Sequence, residues 1–194
     1  MALERVCVYC ASSRQTDAAY YEAAATLGRS LARHGATIVY GGGAVGSMGT
    51  LADAALAAGG KVVGVLPRFM YDLEWGHPRL TELRLVADLH ERKRLMIEAV
   101  DAIVALPGGS GTLEELMEAI TWKRLGLHGH PIVLVNVRGF FDPLVAQMER
   151  CIEERFMDPR HRAMWTVVAA ADEVIDAIRA APPWGSEARR FALV

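Results

Sequence analysis

Short, apolar runs recur along the chain at nearly regular intervals. Ile103-Val104-Ala105-Leu106 and Ile132-Val133-Leu134-Val135 contain no polar residue, and the runs they belong to span 102–106 and 131–137. Further β-rich runs fall at 5–11, 37–40, 61–66, 82–86 and 166–169. A strand with one wet face alternates polar and apolar residues. A run without that alternation is covered on both faces, as in a parallel sheet. Between the runs lie segments with helical apolar spacing, at 18–34, 50–58, 89–100, 113–125, 143–155 and 171–180. Strand and helix alternate throughout, which predicts an α/β fold: a single-domain, Rossmann-like, doubly wound and mainly parallel sheet.

Nothing in the chain divides residues 1–181, which are read as one Rossmann-like domain; 194 residues suit one buried core better than two. Pro182-Pro183-Trp184-Gly185 ends it, and residues 182–194 are expected to form a C-terminal tail, loose beyond Ser186. The chain is 52% hydrophobic, yet its long charge-free stretch, 35–52, is broken up by glycines rather than continuously apolar, so no membrane partner is expected. Glu4 and Arg5 come too early for a secretion signal. The net charge of −2 supplies no general attraction for nucleic acid, so any phosphate must be held by a local arrangement. Three cysteines, Cys7, Cys10 and Cys151, make no disulfide framework and fit reduced thiols in a cytoplasmic protein. Cys7 and Cys10 have the spacing of a zinc half-motif. They lie in an apolar run with no second pair, and read as small buried hydrophobes. His77, His90, His128 and His130 form no ligand set, so neither a metal nor a cofactor is expected. His128-x-His130 reads as the turn into the strand at 131–137.

Ligands of such a sheet sit beyond the carboxyl ends of its strands. Two strands there run into glycine-rich turns that open helices. One turn is Gly41-Gly42-Gly43-Ala44-Val45-Gly46-Ser47-Met48-Gly49, the other Pro107-Gly108-Gly109-Ser110-Gly111-Thr112. Glycine lets backbone approach a ligand closely, and the free N–H groups of a helix start favour phosphate. Neither turn is a P-loop, since no Gly-Lys-Ser/Thr follows, and the first resembles a dinucleotide fingerprint only loosely. Thr112-x-x-Glu115 also matches a capping box, which stabilises a helix with no functional meaning. Glu114 and Glu115 would repel a phosphate unless cations offset them. The helix at 89–100 supplies such cations. Leu89, Met96, Ile97, Ala99 and Val100 make its apolar stripe, and Arg92 and Lys93 flank it, whereas Glu91, Arg94 and Glu98 point away. Snorkelling stems would account for such flanking positions; a phosphate site would use their charges.

Three stretches match a family. Gly-Gly-Gly-x-x-Gly-x-Met-Gly at 41–49, His-x-Arg-Lys at 90–93 and Pro-Gly-Gly-x-Gly-Thr-x-x-Glu at 107–115 resemble the LOG ("Lonely Guy") family. Its members are cytokinin-activating phosphoribohydrolases, often mislabelled lysine decarboxylases. The resemblance spans roughly residues 5–180. The decarboxylase label has no support in the sequence, where nothing marks a Schiff-base lysine for pyridoxal phosphate. Leu89 replaces the methionine that usually precedes the histidine, and Ser47 a common leucine.

The resemblance implies hydrolysis of the N-glycosidic bond of (N6-modified) adenosine 5′-monophosphates, releasing free base and ribose 5-phosphate. It makes Arg92 and Glu115 the catalytic pair. Lys93, Gly109, Ser110, Gly111, Thr112 and Glu114 become nucleotide-binding, with Glu74 and Thr121 as further contacts. Gly42, Gly43 and Met48 of the first turn and Gly108 of the second are also candidates for substrate contact. The resemblance favours a homodimer whose neighbour helps close the site, consistent with apolar Ile120, Trp122 and Leu125 after the motif. Cleaving a C1′–N bond develops oxocarbenium character, which a carboxylate can stabilise while orienting water, or attack as a nucleophile. Stabiliser and base is the preferred role for Glu115. Arg92 would hold the phosphate or orient Glu115.

One alternative is a non-catalytic nucleotide or molybdenum-cofactor carrier of similar fold, which has no need of Arg92 together with Glu115. An NAD(P)-dependent oxidoreductase ranks last, because no acidic residue ends the second strand to take a ribose hydroxyl. The preferred base is not legible.

Overall fold

The computed structural model describes residues 3–73 and 75–192. Seven strands form one parallel sheet: β1 Arg5–Tyr9, β2 Thr37–Tyr40, β3 Val62–Pro67, β4 Glu82–Val86, β5 Ala102–Ala105, β6 Ile132–Val135 and β7 Thr166–Val168. Their order is β4-β3-β2-β1-β5-β6-β7, and every pairing is parallel. The helices are α1 Ala18–Arg33, α2 Gly46–Ala57, α3 Arg68–Asp72, α4 Leu89–Ile97, α5 Ser110–Arg124, α6 Asp142–Glu153 and α7 Val174–Ala180.

The strand pleat divides the core in two. Val6 and Val8 of β1 join Ile38, Val104 and Val133 under α1, α2 and α7. Cys7 and Tyr9 point the other way, with Val39, Ile103 and Leu134, under α4, α5 and α6. Both faces are dry, which is why the strands read as unbroken apolar runs. Cys7 and Cys10 are free and buried, as expected of small hydrophobes. The strand order reverses between β1 and β5. The connection after β1 leads to one face and that after β5 to the other, so a crevice opens between them.

Several helix ends depart from expectation. α2 begins at Gly46 rather than 50; Gly46 turns the chain into it at φ +66°, and a Cβ there would lie 2.6 Å from the Ser12 backbone. α4 stops at Ile97 rather than 100; Glu98 is extended and Ala99 left-handed. The short α3 had no periodicity long enough to announce it. α5 begins at Ser110, not 113, so Thr112 is its third residue and cannot be the capping residue. The Thr-x-x-Glu pattern is therefore not a capping box here.

The chain beyond Ser186, expected to be loose, is packed through residue 192. Trp184 Nε1 donates to the Lys123 carbonyl at 2.8 Å, Arg124 Nη2 to that of Ala192 at 2.8 Å, and Ala188 and Ala192 are buried. Phe191 packs against His161 and Trp184. The Pro-Pro-Trp-Gly signal marks where the last helix stops. Trp184 within it and Phe191 after it carry the chain back onto the core.

Among the described residues, no helix is long and apolar enough to cross a membrane.

Candidate active site

A cavity of about 510 Å³ lies at the carboxyl edge of the sheet, at the reversal of strand order. Four connections wall it: Cys10–Arg14 after β1, the glycine turn after β2, Leu66, Met70 and Trp75 around α3, and the start of α5. The two glycine turns thus share one cavity.

At the start of α5 the first helical hydrogen bond runs from Leu113 N to the Gly109 carbonyl, and no side chain caps the helix. The N–H groups of Ser110, Gly111 and Thr112 have no intrahelical acceptor. Gly109 and Gly111 lie on the cavity wall. A Cβ on either would meet nothing within 4 Å, and neither has a positive φ, so the fold does not demand glycine at these positions. Their bareness leaves room against the cavity for a ligand. Gly108 differs: a Cβ there would lie 2.1 Å from Thr112 Oγ1, and Gly108 is not on the wall. It makes space for the buried Thr112.

Arg92 enters the cavity from α4 at 8% exposure. Its Nε donates to the Val65 carbonyl at 3.1 Å and Nη2 to that of Gly41 at 3.2 Å. Its Nη1 lies 3.3 Å from Glu115 Oε1. Gly41 is bare for this reason, since a Cβ there would stand 1.9 Å from Nη2. Glu115, on the first turns of α5, is 5% exposed. Burial pushes its pKa up to about 7, against the pull of Arg92, while Glu114 adds to the rise. The pair joins a fixed cation to a carboxylate poised between its two protonation states.

Lys93, expected in the same cleft, is not on the cavity wall. Its ammonium is held by Glu114 and, at 3.2 Å, by Glu118. Burial opposes its charge, but the two carboxylates outweigh that and raise its pKa. Glu114 is likewise turned to Lys93 and off the wall. The two residues neutralise each other beside the site.

Of the first turn, Gly43 and Met48 line the cavity, whereas Gly42 does not. Gly42 has φ +77° and its carbonyl accepts from His77 N at 2.9 Å, a turn-building role. Ser110 and Thr112 are on the wall. Thr121 is not: it lies on exposed α5 surface, about 16 Å along the axis from the helix start, with Oγ1 bonded to the Met117 carbonyl at 2.8 Å. Glu74 lies outside the described residues.

Sequence reasoning missed Ser12, Ser13, Arg14, Met70 and Trp75 on the wall. The first three follow β1 directly, where a doubly wound sheet places its crevice. The strand order would have pointed to them; the lack of a glycine signal hid them.

A parallel sheet with its cleft at the switch point defines the class, a Rossmann-like α/β protein. Residues 48–178 match the family described as "possible lysine decarboxylase". A cytokinin riboside 5′-monophosphate phosphoribohydrolase of Arabidopsis thaliana is 40% identical over 171 residues, covering 88% of this chain and 80% of that protein. One from rice (Oryza sativa subsp. japonica) is 41% identical over 171 residues, covering 88% and 71%. The chain belongs to this family of LOG phosphoribohydrolases. In fold it is also similar to the molybdenum cofactor carrier protein of Chlamydomonas reinhardtii, at 22% identity and a TM-score of 0.69 over 91% of this chain and 96% of that one. The molybdenum cofactor binding protein of Rippkaea orientalis has 18% identity and a TM-score of 0.68 over 92% and 97%. These two show the fold alone.

Proposed function

We propose that the cavity hydrolyses the N-glycosidic bond of adenosine 5′-monophosphates, N6-modified ones included, to free base and ribose 5-phosphate. The observation that carries this reading is the buried Arg92–Glu115 pair facing a helix start whose glycines leave room for a phosphate. The relatives' activity supports it. The phosphate lies against the N–H groups of Ser110, Gly111 and Thr112, which extends the ribose toward Glu115. As the C1′–N bond breaks, its electron pair leaves with the base. Positive charge then grows at C1′, where the Glu115 carboxylate stabilises it. Glu115 accepts a proton from the attacking water, whose oxygen bonds C1′, and that proton then passes to the departing nitrogen, which leaves the carboxylate ionised again. Arg92 fixes the carboxylate's position.

The working unit is a homodimer on this reading. Met117, Leu125 and Leu127 are exposed on and just after α5. Thr121, remote from the cavity of its own chain, acts across that interface. Three free cysteines suit the cytoplasm.

The test is incubation with AMP and with isopentenyl-AMP, measuring base and ribose 5-phosphate. Both products in equal amounts are expected, with turnover lost in Glu115→Gln while the fold persists. Tight binding of monophosphates with no product from any of them would replace hydrolysis by the carrier reading that the two fold neighbours suggest.

A further inference from the structure

A nucleoside monophosphate brings about −1.5 to −2 charges into the cavity. An α5 start offers roughly half a positive charge. Arg92 is committed to two carbonyls and Glu115, and Lys93 to Glu114 and Glu118 off the wall. One cation on the cavity wall has no hydrogen-bond or ion-pair partner among the described residues: Arg14, exposed in the connection between β1 and α1.

That connection is not a loose loop at its root. Met48 N donates to the Ala11 carbonyl at 3.0 Å, and Gly46 packs so closely on Ser12 and Ser13 that no side chain would fit. The backbone leading to Arg14 is thereby fixed against the β2–α2 turn. The side chain remains free to reach into the cavity between the two glycine turns. A guanidinium fork suits a phosphate's paired oxygens better than any other side chain.

We propose that Arg14 binds the substrate's 5′-phosphate and sets the selection of monophosphates over dephosphorylated nucleosides. This rests on the hydrolase reading above. Arg14 is a binding residue and takes no part in the proton transfers, so its loss acts on KM more than on kcat.

The experiment compares the wild-type chain with Arg14→Gln and Arg14→Lys, using isopentenyl-AMP and isopentenyladenosine as substrates. Arg14→Gln should raise KM for the monophosphate by about ten- to a hundredfold, the range of a charge-assisted bond, with kcat changing less than about threefold. The ratio of kcat/KM for monophosphate over nucleoside should fall by at least about tenfold, and Arg14→Lys should recover part of it. Calorimetric titration with AMP on the same proteins reads the phosphate contact without turnover. A wild-type chain that binds AMP but releases no base would overturn the hydrolase reading, and a weakened titration in Arg14→Gln would still uphold the contact. Monophosphate KM and AMP affinity both within twofold of wild type in Arg14→Gln would overturn the proposal.

Discussion

Glu115 shows how far one residue's environment can move its chemistry. In the sequence it was a helix-start carboxylate with two readings, cap or catalyst. The cap reading failed because α5 begins three residues earlier than its periodicity suggested. The carboxyl is buried, and its pKa of about 7 follows from that burial, which Arg92 offsets only in part. If the ionised form works, kcat/KM rises about tenfold per pH unit below 7 and levels off above it. A falling limb above pH 7 instead would mean that the protonated carboxyl acts as an acid. Stability moves the opposite way. The native state binds the proton more tightly than the unfolded chain, so this group's contribution is full below pH 4.5 and is lost as pH rises through 7. Gly41 gives a second test at this scale. Gly41→Ala places a methyl where Arg92 Nη2 now stands. The flexible side chain can yield, so the variant should fold, shown by an unchanged circular dichroism spectrum. Turnover should drop by about a hundredfold or more as the guanidinium leaves Glu115. Full activity would show that Arg92 tolerates the shift.

At the scale of elements, the strands were the most legible part. A run buried on both faces has no polar position to blur it, and β2, β5 and β6 lie within the expected ranges. Helix starts were less legible, because glycine hides them. Ser110 and Gly111 are helical here, although their types speak against it, and Gly46 opens α2 at a left-handed φ. The two glycine turns also differ in what they require. Gly46 is enclosed by backbone at positive φ, so Gly46→Ala should lower the unfolding free energy by more than about 1 kcal/mol in urea titration. Gly109→Ala and Gly111→Ala meet open space and should keep or slightly raise the wild-type midpoint, yet bind AMP at least about tenfold more weakly. Unchanged AMP affinity in both would move the phosphate away from α5.

The whole molecule was legible as one doubly wound sheet; the path of its last residues was not. Trp184 and Phe191 close over the far end of α5, where Lys123 is buried. The Lys123 ammonium donates to the His130 carbonyl at 2.9 Å and sits 5.8 Å from the Trp184 ring centroid. Burial draws its pKa down to about 8. Below that pH both states hold the proton. Between pH 8 and 10.5 the unfolded chain holds one that the native state has released, so this group's contribution to stability grows with pH. Relative to Lys123→Met, the wild-type chain should therefore gain about 2–3 kcal/mol between pH 7.5 and 10, read from urea midpoints of both proteins. Parallel curves would place the ammonium in contact with water. Arg92 has a consequence at this scale as well. A free arginine side chain has about 2 kcal/mol of rotamer entropy to lose. Folding has already removed much of it, through bonds to the carbonyls of Val65 on β3 and of Gly41 in the turn after β2. Substrate arrives at a guanidinium that is ordered beforehand, so the time at which disorder is lost is moved from each catalytic cycle to the single event of folding.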